Sequence, residues 1–481
     1  MALIFKPSNN LYHSLPRNST SHLLRTPSFY TPISCFRLPQ SPNQTQSSDD
    51  KFIIVGGSKL SGHVHISGSK NSALAVLAGT LCCSGNSKLH NIPNVSDIRT
   101  MILVLESLGV EVDVYNGEVT VDTHGIRSLE PCADAVGKIR AGFFVGGPLL
   151  ARFGEAMVAL PGGCDIGARP IDIYVRGFRA LGATVEMRQR QLYACAKNGR
   201  LIGGKFRLDF PSVGATETLM MAASMADGVT VLSNVAQEPE VVDLAQFLTH
   251  CGASVEGAGS PTLVINGRKK LQGPEYSIIP DRIEAGTFML AAAITRSCFS
   301  MSPIIPCHLS AVMDKLSVSG CQIIQKTPNT LEIAATSKTR GSLQGFSIRT
   351  GPYPHFPTDL QPQTTVLLTI CNGSNIVEEL VFEERMGHVR ELEKLGARIR
   401  VSGSTALVYG KDQGSWFLRF QCCCKGSKKW SCTCFGGMAA EGITEIEGVT
   451  HIDRGYENLE MKLHSLGADT VRRPSSLETQ L

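Results

Sequence analysis

Six times in this chain a helical pattern ends in a glycine and passes directly into an alternating strand pattern. The copies read Leu-Glu-Ser-Leu-Gly-Val-Glu-Val (105–112), Phe-Arg-Ala-Leu-Gly-Ala-Thr-Val (178–185), Leu-Thr-His-Cys-Gly-Ala-Ser-Val (248–255), Leu-Ser-Val-Ser-Gly-Cys-Gln-Ile (316–323), Leu-Glu-Lys-Leu-Gly-Ala-Arg-Ile (392–399) and Leu-His-Ser-Leu-Gly-Ala-Asp-Thr (463–470). Their glycines, Gly109, Gly182, Gly252, Gly320, Gly396 and Gly467, are spaced 73, 70, 68, 76 and 71 residues apart. A glycine just past an apolar helical stripe is the residue where the backbone turns left-handed and the helix stops. One such junction says little, but six at one period describe a repeated unit.

Ahead of each junction lies an amphipathic helix. Over 97–108, Ile98, Met101, Ile102, Leu105 and Leu108 fall on one stripe. The alternation at 110–114 after Gly109, and the patterns at 88–92 and 230–235, read as short strands. Each unit is therefore read as helices packed inside short sheets, an α/β fold with six units of about 70 residues in two groups of three. At 481 residues the chain has room for two cores. A two-lobed protein of this kind is expected to carry its site in the cleft between lobes.

The net charge of +4 comes from the leader. Residues 1–48 contain Lys6, Arg17, Arg25 and Arg37, many Ser, Thr and Pro, and no acid before Asp49. That composition reads as an organelle transit peptide, with a plastid favoured over a mitochondrion because scattered prolines spoil an amphipathic presequence helix. The remainder is neutral, which points away from nucleic acid and anionic membranes as partners. No apolar run reaches the roughly 18 residues that a spanning helix needs, so a soluble protein is expected. Sixteen scattered cysteines in such a compartment are expected to be mostly reduced thiols.

One loop stands out as a site. Residues 160–172 read Leu-Pro-Gly-Gly-Cys-Asp-Ile-Gly-Ala-Arg-Pro-Ile-Asp. The glycines and prolines forbid a regular element there and let the backbone approach a ligand closely. A thiol at Cys164, beside Asp165 and close to Arg169, is open to tuning as an acid or nucleophile. The plain alternative is a small buried hydrophobe.

The chain is identified by several motifs as similar to the enolpyruvyl transferases. They are Ser67-Gly68-Ser69-Lys70-Asn71-Ser72-Ala73, the Cys164 loop, Ser212-Val213-Gly214-Ala215-Thr216, Pro280-Asp281-Arg282-Ile283-Glu284, Phe356-Pro357-Thr358-Asp359-Leu360-Gln361 and His451-Ile452-Asp453-Arg454-Gly455-Tyr456-Glu457. Within that family the resemblance, over residues 51–473, is to the branch that acts on UDP-N-acetylglucosamine. It implies a two-domain inside-out α/β barrel, threefold in each domain. One domain would be 70–281 and the other 49–69 plus 282–481.

The activity implied is transfer of an enolpyruvyl group from phosphoenolpyruvate to the sugar 3-hydroxyl with release of phosphate, the first committed step of peptidoglycan precursor synthesis. Such chemistry needs a cationic clamp, an acid for the alkene carbon and a base for the hydroxyl. By resemblance Lys70, Arg140, Arg169 and Arg454 surround phosphoenolpyruvate, and Cys164 is the catalytic thiol. Asp359 is the candidate base, with a helix-cap role as the plain alternative. Asn71 contacts the reacting groups and Arg385 is a further site arginine. Arg169, Pro170, Ile171, Asp172, Ile173, Ser212, Val213, Gly214 and Val381 match contacts to the nucleotide sugar. No metal or organic cofactor is called for. The alternatives are a 5-enolpyruvylshikimate-3-phosphate synthase-like enzyme, disfavoured by the Cys164 loop and the Ser212-Val213-Gly214 turn, and a non-catalytic relative that binds the nucleotide sugar.

The resemblance collapses over 415–436. Both tryptophans and five of the sixteen cysteines fall there, where the family has an Asp-Leu-Arg and an apolar helix. Cys422, Cys423, Cys424, Cys432 and Cys434 lack the paired spacing of zinc sites and have no nearby His. Trp430 to Phe435, read one base later with suitable codons, gives Gly-Leu-Val-Leu-Ala, so the stretch is read as a local frameshift, a misannotated exon or a divergent transcript, with loss of a core helix expected.

Overall fold

The computed structural model describes residues 50–473 apart from 116, 164–165, 168, 336–342, 411–420 and 424–426. The leader, Cys164 and residues 415–420 thus lie outside the described residues.

All six junction glycines are left-handed, with φ between 88° and 102°. Each follows a helix (Ser96–Ser107, Asp172–Ala180, Pro239–His250, Ser310–Ser319, Val389–Lys394 and Leu459–Ser465) and precedes a strand. The helix read at 97–108 and the strand read at 110–114 lie at Ser96–Ser107 and Glu111–Tyr115, each displaced by one residue.

Seven sheets occur among the described residues, and five of them share one order. In each, an edge strand runs parallel to the second strand, while the third and fourth are antiparallel. Phe52 and Ile54 on the strand Lys51–Val55 point inward while their neighbours are partly exposed, the alternation expected of a sheet with one wet face.

The helices Lys70–Gly79, Gly146–Phe153, Val213–Ala223, Arg282–Thr295 and Gln361–Ile370 behave differently from the surface helices. Every residue from 284 to 295 is buried. A helix apolar on all sides has no wet face to offer and belongs in a core. The buried apolar side chains form two clusters, one drawn from 73–278 and the other from 52–66 with 285–468. The first segment joins the second cluster because Lys51–Val55 lies between Ile443–Glu447 and Thr470–Arg473, and His63–His65 pairs with Cys298–Ser302.

Two passages of chain between the clusters run side by side. Gly68 and Pro280 form an antiparallel bridge, Ser69 N donates to Ile279 O at 2.7 Å, and Asp281 N donates to Ser67 O at 2.9 Å.

The expectation that 415–436 loses a core helix is corrected. Residues Ser427–Ala439 are helical and pack against Arg282–Thr295 and Gln361–Ile370. Cys434, Phe435 and Met438 supply a fully buried face. Their spacing puts an apolar stripe on one side of the helix, which suffices for burial even in a sequence foreign to its surroundings. Among the described residues no helix is long and apolar enough to cross a membrane.

Candidate active site

Lys70 opens the helix Lys70–Gly79, capped by Ser69, whose side chain accepts from Ser72 N. Its backbone N–H donates to Asp281 Oδ2 at 3.1 Å, so both passages between the clusters fix this turn. Its ammonium lies 3.3 Å from Asp97 Oδ2. The other oxygen, Asp97 Oδ1, accepts from Arg454 Nε at 2.9 Å, and Arg454 Nη2 donates to Lys138 O at 3.3 Å. One carboxylate thus holds two cations that come from opposite ends of the chain. Burial, and then the Arg454 charge, push the His451 imidazole below its ordinary value. Asn71 is half-buried on the same turn as Lys70.

The 160–172 loop folds against this group. A Cβ on Gly162 would lie 1.6 Å from Gly137 O, and one on Gly163 would meet Arg140 Cβ at 3.3 Å and an Arg169 guanidinium nitrogen at 3.4 Å. Gly162 has no room for a side chain against the Gly137 carbonyl, and Gly163, with φ of 121°, holds a left-handed backbone that favours glycine beside Arg140 and Arg169. Arg140 Nη2 reaches Pro170 O at 3.5 Å. The far side of the loop meets residues 382–384. Glu384 N donates to Ile166 O at 3.3 Å, and the Arg169 guanidinium stacks over the Phe382 ring at 5.5 Å.

Phe382 also lies under Arg385, 5.6 Å away, and Arg385 Nη2 donates to Asp359 Oδ1 at 2.7 Å. Arg385 is 2% exposed and Asp359 is 21% exposed, so the carboxylate sits at the mouth of a buried arginine. The plain alternative for Asp359 was a helix cap. The residue preceding its short helix is Pro357, with no side-chain cap bond, so Asp359 answers to Arg385 instead.

The residues read as nucleotide contacts gather at two helix starts. Asp172 and Ile173 begin the helix Asp172–Ala180, where Ile173 is buried and Asp172 pairs with Arg176 at 3.0 Å, while Pro170 and Ile171 lead into it. Ser212 caps the helix Val213–Ala223, its Oγ accepting from Ala215 N at 3.4 Å. A Cβ on Gly214 would lie 2.4 Å from the Tyr174 hydroxyl, which locks the two starts together. The first-turn amides of Val213 and Gly214 stand at the positive end of an 11-residue helix, favourable ground for an anion. Val381 is partly exposed beside Phe382, and its N–H donates to Glu379 Oε1 at 2.9 Å.

Lys70, Arg454, Arg140, Arg169, Arg385 and Asp359 are therefore joined by a continuous run of contacts through Asp97, Lys138, the glycine loop and Phe382. Sequence reading missed Asp97, Phe382 and Glu379. Asp97 was visible only as an acid in a first helical turn, and Phe382 and Glu379 carried no signal beyond lying near Arg385. Among the described residues no group of three or more His, Cys, Asp or Glu side chains is placed to hold a metal ion.

A family profile described as EPSP synthase (3-phosphoshikimate 1-carboxyvinyltransferase) matches residues 54–463. A UDP-N-acetylglucosamine 1-carboxyvinyltransferase of Gloeobacter violaceus is 47% identical over 439 residues, covering 90% of this chain and 93% of the relative. The protein of that name from a Nostoc species is 45% identical, covering 89% and 95%. This chain belongs to the UDP-N-acetylglucosamine 1-carboxyvinyltransferase family.

As a member of that family it is an enzyme, a transferase, and the shikimate alternative is not favoured. The solved EPSP synthase of Acinetobacter baumannii superimposes with a TM-score of 0.68 at 17% identity, over 88% of this chain and all of that one. The enolpyruvyl transferase NikO of Streptomyces tendae gives 0.78 at 23% identity, over 89% of this chain and all of that one. These two likenesses establish the enolpyruvyl transferase fold, and the sequence relatives select the UDP-N-acetylglucosamine 1-carboxyvinyltransferase branch within it.

Proposed function

We propose that Lys70, Arg140, Arg169 and Arg454 hold the phosphate and carboxylate of phosphoenolpyruvate while its enolpyruvyl group passes to the 3-hydroxyl of UDP-N-acetylglucosamine. The hydroxyl oxygen bonds to C2 of phosphoenolpyruvate, Asp359 takes the hydroxyl proton, and Cys164 supplies a proton to C3. The C2–O bond to phosphate then breaks, C3 gives up a proton, and phosphate leaves with the alkene restored. Arg385 holds Asp359 in place through a charge-assisted hydrogen bond. Asn71 contacts the reacting groups. Pro170, Ile171, Asp172, Ile173, Ser212, Val213, Gly214 and Val381 seat the nucleotide sugar.

The observation that carries this reading is the run of contacts from Lys70 through Asp97 and Arg454 to Arg169, Arg385 and Asp359, which gathers four cations on one surface with the Asp359 carboxylate held by Arg385. The two apolar clusters support a division into two lobes, 70–281 and 49–69 with 282–481. The shared sheet order and the junction glycines support a sixfold, inside-out barrel plan.

Purified residues 49–481 are expected to release phosphate from phosphoenolpyruvate only when UDP-N-acetylglucosamine is present. A second version with 415–436 in the shifted frame tests that stretch. Activity confined to the second version would identify this chain as a damaged copy, and silence from two folded proteins would favour the binding-only reading. Gloeobacter and Nostoc are cyanobacterial, which supports a plastid address for the product of a transit peptide at 1–48. A fluorescent fusion to residues 1–48 checks it, and accumulation in mitochondria would overturn it.

A further inference from the structure

Glu379 is a buried carboxylate, 2% exposed, and among the described residues no lysine or arginine pairs with it. Four neutral donors surround it instead. Oε1 accepts from Thr350 Oγ1 at 2.8 Å, Val381 N at 2.9 Å and Phe382 N at 3.2 Å, and Oε2 accepts from Thr358 Oγ1 at 2.9 Å. Thr350 Oγ1 is itself engaged by Leu380 N at 3.0 Å. An anion buried without a cation is expensive unless its hydrogen bonds are filled, and here both oxygens are used.

Those four donors belong to both halves of the candidate site. Thr358 immediately precedes Asp359, and Phe382 is the ring on which Arg169 and Arg385 stack. One carboxylate therefore ties the turn that carries the base to the turn that carries the platform for two arginines. A carboxylate has one oxygen for each turn, whereas a hydroxyl or a backbone carbonyl has a single oxygen and reaches one of them.

We infer that Glu379 is a positioning residue for the transfer step, holding Asp359 against Arg385 and fixing the Phe382 platform without touching the substrates. The inference rests on the assignment of Asp359 as base. Of the clamp residues, Lys70 is held by Asp97 and Arg140 reaches Pro170, while Arg169 rests on the Phe382 platform, so phosphoenolpyruvate binding is expected to weaken far less than turnover.

The test is steady-state kinetics on the full chain, with melting temperature recorded for each variant. Glu379→Ala is expected to lower kcat by about 30-fold or more, a misplaced general base forfeiting much of its usual contribution, while KM for phosphoenolpyruvate moves by less than about threefold. Glu379→Gln keeps one oxygen for three donors and turns its amide towards the Thr358 hydroxyl, which then accepts; it is expected to recover at least about tenfold of that loss. If Glu379→Ala does not fold, Thr358→Val removes the Oε2 link alone and is expected to lower kcat by about fivefold with unchanged KM. A folded Glu379→Ala protein with wild-type kcat, or a Gln variant no better than Ala, overturns the inference. Asp359→Asn in the same assay separates the two levels: if it is fully active, the base assignment itself fails, whatever Glu379 does.

Discussion

Asp97 and Arg454 stand 357 residues apart in the chain, yet Asp97 Oδ1 accepts from Arg454 Nε at 2.9 Å while its other oxygen faces the Lys70 ammonium. The acid balances part of the clamp's charge and also fixes its shape. Which matters more decides what its removal does.

Lys70 and Arg454 are both about a fifth exposed, so solvent weakens the extra attraction for an anion that removing Asp97 would bring. Lost positioning is expected to win. Asp97→Ala should lower kcat/KM for phosphoenolpyruvate by about 30-fold, measured by phosphate release. Tighter phosphoenolpyruvate binding with undiminished turnover would show that charge, not geometry, is the contribution of Asp97.

If Cys164 is the working thiol, the phosphonate epoxide fosfomycin is expected to alkylate it irreversibly, because thiolates open epoxides and the clamp proposed for phosphoenolpyruvate would attract the phosphonate. Time-dependent loss of activity and one added mass at Cys164 check this. Cys164→Asp should resist, and equal sensitivity in that variant would refute the assignment.

Glu284 accepts from Ser67 N at 2.7 Å and pairs with Lys462 at 2.6 Å, beside the passage between the two apolar clusters. Burial raises its carboxyl from 4.5 to about 7, against the opposing pull of Lys462. A raised folded value means that the protonated acid favours the fold. The contribution is complete below about pH 4.5 and is lost as pH rises through about 7, a swing of about 3 kcal/mol. Glu284→Gln should therefore flatten the pH dependence of unfolding free energy across that window, measured by urea titration. An unchanged slope would mean that Glu284 does not titrate there.

Phe435 is fully buried in the helix Ser427–Ala439. Phe435→Ala is expected to destabilise the protein by about 3–5 kcal/mol, the usual loss for a large core side chain. A change below about 1 kcal/mol would show that Phe435 does not anchor a core helix and restore the expectation that one is lost over this stretch.

Residue patterns carried the local structure well. The junction glycines, the helices before them and the alternating strands after them depend on backbone preference and one-sided burial, both written in nearest neighbours along the chain. The turns that carry Lys70, Asp359 and Arg454 could be picked out from their local sequence for the same reason. Over 415–436 local reading failed, because a few apolar positions on one face were enough for a helix with two others to pack against.

What the sequence by itself determined was the six helix-glycine-strand junctions, the enolpyruvyl transferase family and the cast of charged residues. Only the tertiary structure decided that Asp97 joins Lys70 to Arg454, that Phe382 stacks beneath both Arg169 and Arg385, and that Glu379 binds the Asp359 turn to that platform. Periodicity says which face of an element is buried. The partner of a buried carboxylate depends on which distant segments meet it, and that follows from how the sheets and helices pack.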